Sequence, residues 1–439
     1  MRFYEEIGVC APDILLPAPE IDLGRWAVVA CDQFTSEPEY WDKVRQIVGS
    51  CPSTYNLVLP EVFLGTPEET RRINTTQQAM RDYLSRGILQ NHPGMIYTER
   101  TFNNRTRRGV VLALDLEAYD FKGGSQTLIR ATEGTILERL PPRIRIRQGA
   151  DIEVPHILVL IDDPDQMVIE PLAAIKDHLP ELYNVDLMLG SGHLQGYSLA
   201  DPGVEQAVVK ALAALADPDY FQHHYHLDSN KGVLLFAVGD GNHSLATAKS
   251  LWESLRTQVG SHHPARYALV EIENVHDTAL IFEPIHRVLF SISGSLAASA
   301  KTFFAAHLTI ESCSGHVEMI RRIGNPPPGE QVIGMVEAAS CQIWRIHHPD
   351  SQLAVGSLQP FLDGLLKSGT AQKIDYVHGE EVVFRLGTQP GNAGFFLPVM
   401  DKSDLFRTVI LDGVLPRKTF SMGEAREKRF YLECRRITG

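Results

Sequence analysis

No apolar run in this chain is long enough to span a membrane. The N-terminus, Met-Arg-Phe-Tyr-Glu-Glu, lacks the apolar stretch of a signal peptide. Positive charge is also short: 41 Lys and Arg against 54 Asp and Glu leave a formal net charge of −13. That balance argues against a nucleic-acid backbone as partner, which needs clustered cations. Arg143, Arg145 and Arg147 do alternate, as on one strand face, and such a run marks a solvated or anion-facing edge. The 6 cysteines are far apart with no C-x-x-C pair, which fits reduced cytoplasmic thiols and no structural zinc. Neither a G-x-S-x-G elbow nor a G-x-x-x-x-G-K-[ST] loop occurs, which counts against serine hydrolases and P-loop enzymes. What is present is ordinary globular composition, 44% hydrophobic and 22% charged over 439 residues. A soluble cytoplasmic protein is expected.

The most informative stretch is Val233-Leu234-Leu235-Phe236-Ala237-Val238-Gly239-Asp240-Gly241-Asn242-His243-Ser244. Six successive apolar residues read as a strand buried on both faces. Gly239 and Gly241 then allow a sharp turn. Leu245, Ala248, Leu251, Trp252 and Leu255 follow at helical spacing. Strand, glycine turn and helix together aim backbone N–H groups and a helix dipole at an anion. The alternative is a plain βα turn in which Asn242 caps the helix. Gly239-x-Gly241-x-x-Ser244 meets the dinucleotide fingerprint of an NAD(P) oxidoreductase only superficially, because Ser stands third and no opening βαβ unit is evident.

Elsewhere, Ser36-Glu37-Pro38-Glu39 and Thr66-Pro67-Glu68-Glu69 have capping-box spacing, predicting helices that stop near Gly49 and Gly87. Asp201-Pro202 predicts a helix from about Gly203 to Ala216, and Leu296 to His307 predicts another. Val110 to Leu114 and Thr127 to Ala131 read as a hairpin joined through Gly123-Gly124. Val332 to Val336, Cys341 to Ile346 and Val382 to Leu386 read as strands. His223-His224-Tyr225-His226 reads as a solvated loop rather than a metal site, and His193, between glycines, as a turn residue or a ligand contact. The clearest break is Gly324-Asn325-Pro326-Pro327-Pro328-Gly329. It suggests one region over 1–323 and a second over 330–439 that packs back on the first. The class is α/β with a mixed (α+β) sheet.

Six segments in order carry a family resemblance: Val28-Val29-Ala30-Cys31-Asp32-Gln33, Arg130-Ala131-Thr132-Glu133-Gly134-Thr135, Pro155 to Pro164, Asp240-Gly241-Asn242-His243, Lys373 to Gly379, and Leu415-Pro416-Arg417-Lys418-Thr419. Together they resemble the bacterial and archaeal domain-of-unknown-function family 1015. That family in turn resembles the ParB/sulfiredoxin-like fold, whose members bind nucleotides and include free-serine kinases. The resemblance implies a ParB/sulfiredoxin-like core with a C-terminal extension, and a nucleotide site around the Asp-Gly-x-His turn. The family turn resembles Asp-Gly-His-His-Arg, whereas here Asn242 and Ser244 stand at the first His and the Arg. An Arg there would grip phosphate with a bidentate fork, and Ser244 offers only a hydroxyl and an N–H. Lys249 lies on a different side of the helix from Ser244.

Phosphoryl transfer needs a phosphate cradle, positive charge at the transferring group, and a group that orients or deprotonates the acceptor. Gly239, Gly241, Asn242 and Ser244 supply the cradle. Asp240 is the expected ligand of Mg²⁺ carried with ATP or ADP, and His243 a donor to phosphate. Asp32 and Glu133 are candidate bases at strand ends. Arg130 and Thr132 share a strand face that can line the pocket, and Lys418 can complete the anion site. For each carboxylate the competing role is a helix cap or a surface ion pair. The expected activity is a nucleotide-dependent phosphotransferase acting on a small hydroxyl metabolite, with free serine as the family analogy. The alternative is a non-catalytic nucleotide-binding regulator.

Overall fold

The computed structural model describes residues 1–35, 37–135, 140–227, 231–338 and 340–439. The cap expected of Ser36 lies outside these residues. The chain forms two compact units, Met1–Leu280 with Gly423–Gly439, and Ile281–Met422. This corrects the boundary expected at the proline run. Pro326–Pro328 form a turn inside the second unit, linking a helix, His316–Ile323, to a strand, Glu330–Glu337. Prolines end elements without ending domains, so long as both neighbours pack in one core.

The first unit is a mixed α/β layer structure around an eleven-stranded sheet. Its central strands Ile96–Phe102, Arg105–Asp115 and Tyr267–Asn274 are antiparallel neighbours. Tyr267–Asn274 then pairs in parallel with Leu158–Ile161, which pairs antiparallel with Phe236–Asp240. Phe236–Asp240 pairs in parallel with Ile129–Ala131. The expected hairpin between Val110–Leu114 and Thr127–Ala131 is therefore absent, because both flanks of the first strand are taken by longer antiparallel partners. The expected run from Val233 begins as a strand only at Phe236.

Period-two alternation splits the sheet's two faces. Val110, Leu112, Leu114, Val270 and Ile272 join the core with Leu245, Ala248 and Trp252 of the helix Asn242–Leu255. Val111 and Leu269 belong to a second core with Trp26, Trp41 and Tyr431. The C-terminal tail is pinned there by short antiparallel pairs, Phe430–Tyr431 with Val28–Val29 and Arg435–Arg436 with Ile152–Glu153. The indole Nε1–H of Trp26 donates to the Leu432 carbonyl at 2.9 Å.

Several local expectations hold. Helices run Pro38–Val48, Glu69–Ser85 and Pro202–Leu215, the last capped by Asp201, whose carboxylate accepts from Gly203 and Val204. The cap expected of Thr66 does not form, because Glu69–Ser85 starts behind Glu68 and the Thr66 hydroxyl donates to the Phe63 carbonyl at 2.7 Å. Others are corrected. Arg143, Arg145 and Arg147 lie on a helix, Leu140–Gln148, and pair with Glu61, Glu69 and Glu153. His223 to Tyr225 end a helix, Pro218–Tyr225, and His224 and Tyr225 both bond to Asp162. His193 bonds to Asp186 on the neighbouring strand at 2.7 Å.

The second unit is a six-stranded antiparallel sheet, and two helices, His316–Ile323 and Glu380–Gly387, contribute to its core. Val382 to Leu386, expected as a strand, form the middle of the second of these helices. His286 is buried in this unit, and its Nδ1 accepts the Leu397 N–H at 3.1 Å, which requires a neutral ring nitrogen. Burial, with Arg287, His378 and His316 adding like charge, pushes the imidazole down to about 4. An unfolded chain binds that proton near pH 6.5, so between pH 6.5 and 4 the unfolded state holds more protons. The second unit should therefore lose about 3 kcal/mol as pH falls through that window. Urea titrations at pH 7, 5 and 4 check this, and His286→Gln should flatten the dependence.

Candidate functional site

The antiparallel pairing of Leu158 with Asp240 places the glycine turn beside the residues just before the strand Leu158–Ile161. That register sets the site. Gly241 adopts φ +78°, and a Cβ there would sit 3.0 Å from the Ile157 Cα. Glycine is required by the neighbouring backbone as well as by the left-handed conformation. Gly241→Val is expected to cost about 1–3 kcal/mol of stability, read from its urea midpoint.

Gly241 precedes the helix Asn242–Leu255 and has no side chain with which to cap it. The Ser244 and Leu245 N–H groups bond back to the Gly241 carbonyl at 2.9 and 3.0 Å. Asn242 reaches the Val238 carbonyl at 3.4 Å, and its Oδ1 is buried without a hydrogen-bond partner. The positive end of a fourteen-residue helix thus faces the turn. Asp240 instead receives the Gly241 N–H on Oδ1 at 2.9 Å and Lys428 Nζ at 3.3 Å from Oδ2. Burial would lift its carboxyl, but Lys428, His156 and the Gly241 N–H outweigh that and hold it below the usual carboxylate range.

His156 is the hub. Its Nε2 lies 2.8 Å from Ser244 Oγ and 3.9 Å from Asp32 Oδ2. Its Nδ1 lies 2.9 Å from the Tyr431 hydroxyl, which accepts the Cys31 N–H at 2.9 Å. Asp32 also accepts from Gln33 Nε2 at 3.0 Å. Beside this chain opens a cavity of about 140 Å³. Ser244, His156, Tyr431, Cys31, Glu61 and Arg143 give it a polar side, and Leu57, Leu59, Met80 and Leu269 an apolar one. Burial lifts the Glu61 carboxyl above its usual range although Arg143 is paired to it.

The structure thus brings Asp32, Asp240 and Ser244 around His156. Glu133 is half-buried, two residues past the strand Ile129–Ala131, whose parallel pairing aligns Ala131 with Val238. His243 is half-buried in the first helical turn, where its carbonyl accepts from Thr247. Three expected ligand residues have other tasks. Arg130 donates to the carbonyls of Thr127, Gly232 and Val233, at the far end of the strand from Asp240. Thr132 spends its hydroxyl on the Val238 carbonyl at 2.6 Å. Lys418 belongs to the second unit. Lys249 is buried against the Leu116 carbonyl at 2.9 Å, so it replaces no phosphate-binding Arg.

Sequence reading missed His156, Tyr431, Lys428, Glu61 and Arg143. For His156 a signal existed, a polar residue immediately before a fully apolar strand. Lys428 and Tyr431 carried none, since they arrive from a tail paired to Val28–Val29.

A mixed α/β protein with a glycine-led helix N-terminus beside a histidine-centred polar pocket is the class that fold and site define. The chain belongs to the DUF1015 family, proteins of unknown function, whose model matches residues 13–365. No curated protein matches the sequence at a significant level. Among solved structures it is similar to a free serine kinase variant in complex with AMP, at 10% identity and TM-score 0.39, covering 75% of this chain and 92% of that one. A free serine kinase variant in complex with ADP gives the same figures. A conserved hypothetical protein from Pyrococcus furiosus is similar at 11% identity and TM-score 0.36, covering 75% and 95%. Among the described residues, no helix is long and apolar enough to cross a membrane, and no group of three or more metal-ligating side chains occurs.

Proposed function

We propose that the chain is a nucleotide-dependent phosphotransferase acting on a small hydroxyl compound, with free serine the first acceptor to try. The observation that carries this reading is the glycine-led N-terminus of Asn242–Leu255, set beside Lys428 and the His156–Ser244 pair. Backbone N–H groups and an ammonium suit the terminal phosphates, and the imidazole is the group that can take a hydroxyl proton. The half-apolar cavity suits the rest of a small ligand.

The expectation that Asp240 alone holds Mg²⁺ fits the geometry poorly, since Gly241 and Lys428 engage both of its oxygens. Asp32 is the better carboxylate for it, with phosphate oxygens and water completing the shell. A bound Mg²⁺ would neutralise charge developing on the transferred group. Asp240 then positions Lys428.

The test screens ATP and ADP consumption against serine and other small hydroxyl metabolites with Mg²⁺ present, beside calorimetric binding of each nucleotide. Acceptor-dependent consumption supports the reading. Binding without consumption would return the regulatory alternative, and absence of binding would end the proposal. Lys428→Met should weaken nucleotide binding by about 1.5–3 kcal/mol, the worth of a hydrogen bond to a charged group.

A further inference from the structure

We infer that Ser244 is a nucleophile that carries the phosphoryl group between nucleotide and acceptor, an inference that rests on the phosphotransferase reading and extends it. A hydroxyl becomes a nucleophile when a base lies within hydrogen-bond reach and a third group fixes that base. Here the three parts are in line. Ser244 Oγ is 2.8 Å from His156 Nε2, and His156 Nδ1 is 2.9 Å from the Tyr431 hydroxyl. The Cys31 N–H, at 2.9 Å, holds that hydroxyl in turn. Tyr431 and His156 cross nearly edge to face, at 84°, so the imidazole plane is set by packing as well as by the bond.

A serine whose only task was to stabilise its helix would stand at the cap and bond to a backbone N–H. Ser244 is instead the third residue of the helix, behind a glycine cap, and its hydroxyl points to an imidazole. Both side chains line the cavity, so a ligand there can reach the oxygen. The charge arrangement matches the step. The helix N-terminus and Lys428 face the turn, where negative charge on a transferring phosphoryl group would need them.

The step balances without a further reagent. Ser244 Oγ forms a bond to the terminal phosphorus of the nucleotide, and the bond from that phosphorus to its bridging oxygen breaks. The hydroxyl proton passes to His156 Nε2, and the nucleotide leaves one phosphate shorter. The proton held at His156 Nε2 then returns to Ser244 Oγ as the ester bond breaks and an acceptor hydroxyl attacks the same phosphorus, and the freed Nε2 takes the acceptor's proton.

The experiment incubates the full-length protein with ATP or ADP and Mg²⁺, acceptor withheld, and quenches it in acid for intact-mass and peptide analysis. Wild type should gain one phosphoryl group, on the peptide holding Ser244. It should also exchange isotopic label between the donor nucleotide and its product, a reaction that needs no acceptor. Ser244→Ala should lose the mass gain, the exchange and the turnover, yet still bind nucleotide by calorimetry. Wild type that binds and consumes nucleotide but shows neither phosphoserine nor exchange would overturn the covalent step alone. So would Ser244→Ala turning over at the wild-type rate. Failure of wild type to bind nucleotide in the calorimeter is the separate signature that the phosphotransferase reading itself is wrong.

Discussion

His156→Gln is expected to lower kcat by about 10²–10⁴-fold, the usual worth of a positioned general base, while leaving the KM for nucleotide nearly unchanged. The split follows from the geometry. Phosphate binding is assigned to the turn, the helix N-terminus and Lys428, none of which depends on the imidazole. Gln keeps an amide that can still bond to Ser244 and cannot take up its proton. Steady-state kinetics with each substrate varied in turn check the split. A parallel rise in KM, or a kcat equal to wild type, would make His156 a packing residue.

The largest expected loss of stability lies away from the pocket's mouth. Arg429 →Met should destabilise the first unit by about 3–5 kcal/mol, because it leaves two buried carboxylates without their cation. Arg429 pairs with Glu271 and lies 2.8 Å from Glu433, and all three side chains are at most 4% exposed. Glu271 also accepts the Thr98 hydroxyl at 2.6 Å, and Glu433 accepts from Tyr183. The cost is that of stranding charge, so replacing Glu271, Arg429 and Glu433 together by apolar residues should recover part of it. Urea midpoints of the single and triple variants measure this. A single variant within about 1 kcal/mol of wild type would show that the network is solvated. Because the tail carries both Arg429 and Tyr431, the single variant should also disturb the site.

The turn was legible because its pattern is local. Apolar residues, two glycines and a helical repeat within some twenty positions fix a strand, a reversal and a helix that later contacts only select. Asp240 and Ser244 could be named on that basis, and Asp201 as a cap on a similar one. Arg130 and Thr132 show the limit. Strand alternation gives the face a side chain takes, but not whether a carbonyl of the neighbouring strand or of the segment leading into it claims it first. In this chain Gly232, Val233 and Val238 do so.

By itself, then, the sequence determined the elements whose signals lie within a few turns of chain, and with them the mixed α/β class and the glycine turn between strand and helix. Tertiary structure decided the rest. The antiparallel register of Leu158 against Asp240 brought His156 to Ser244 across 88 residues. Pairing of the tail with Val28–Val29 brought in Lys428 and Tyr431. Two-unit packing carried the chain through its proline run and back after Met422. Such contacts depend on which surfaces bury the most apolar area together, a sum over distant residues that no short window of sequence contains.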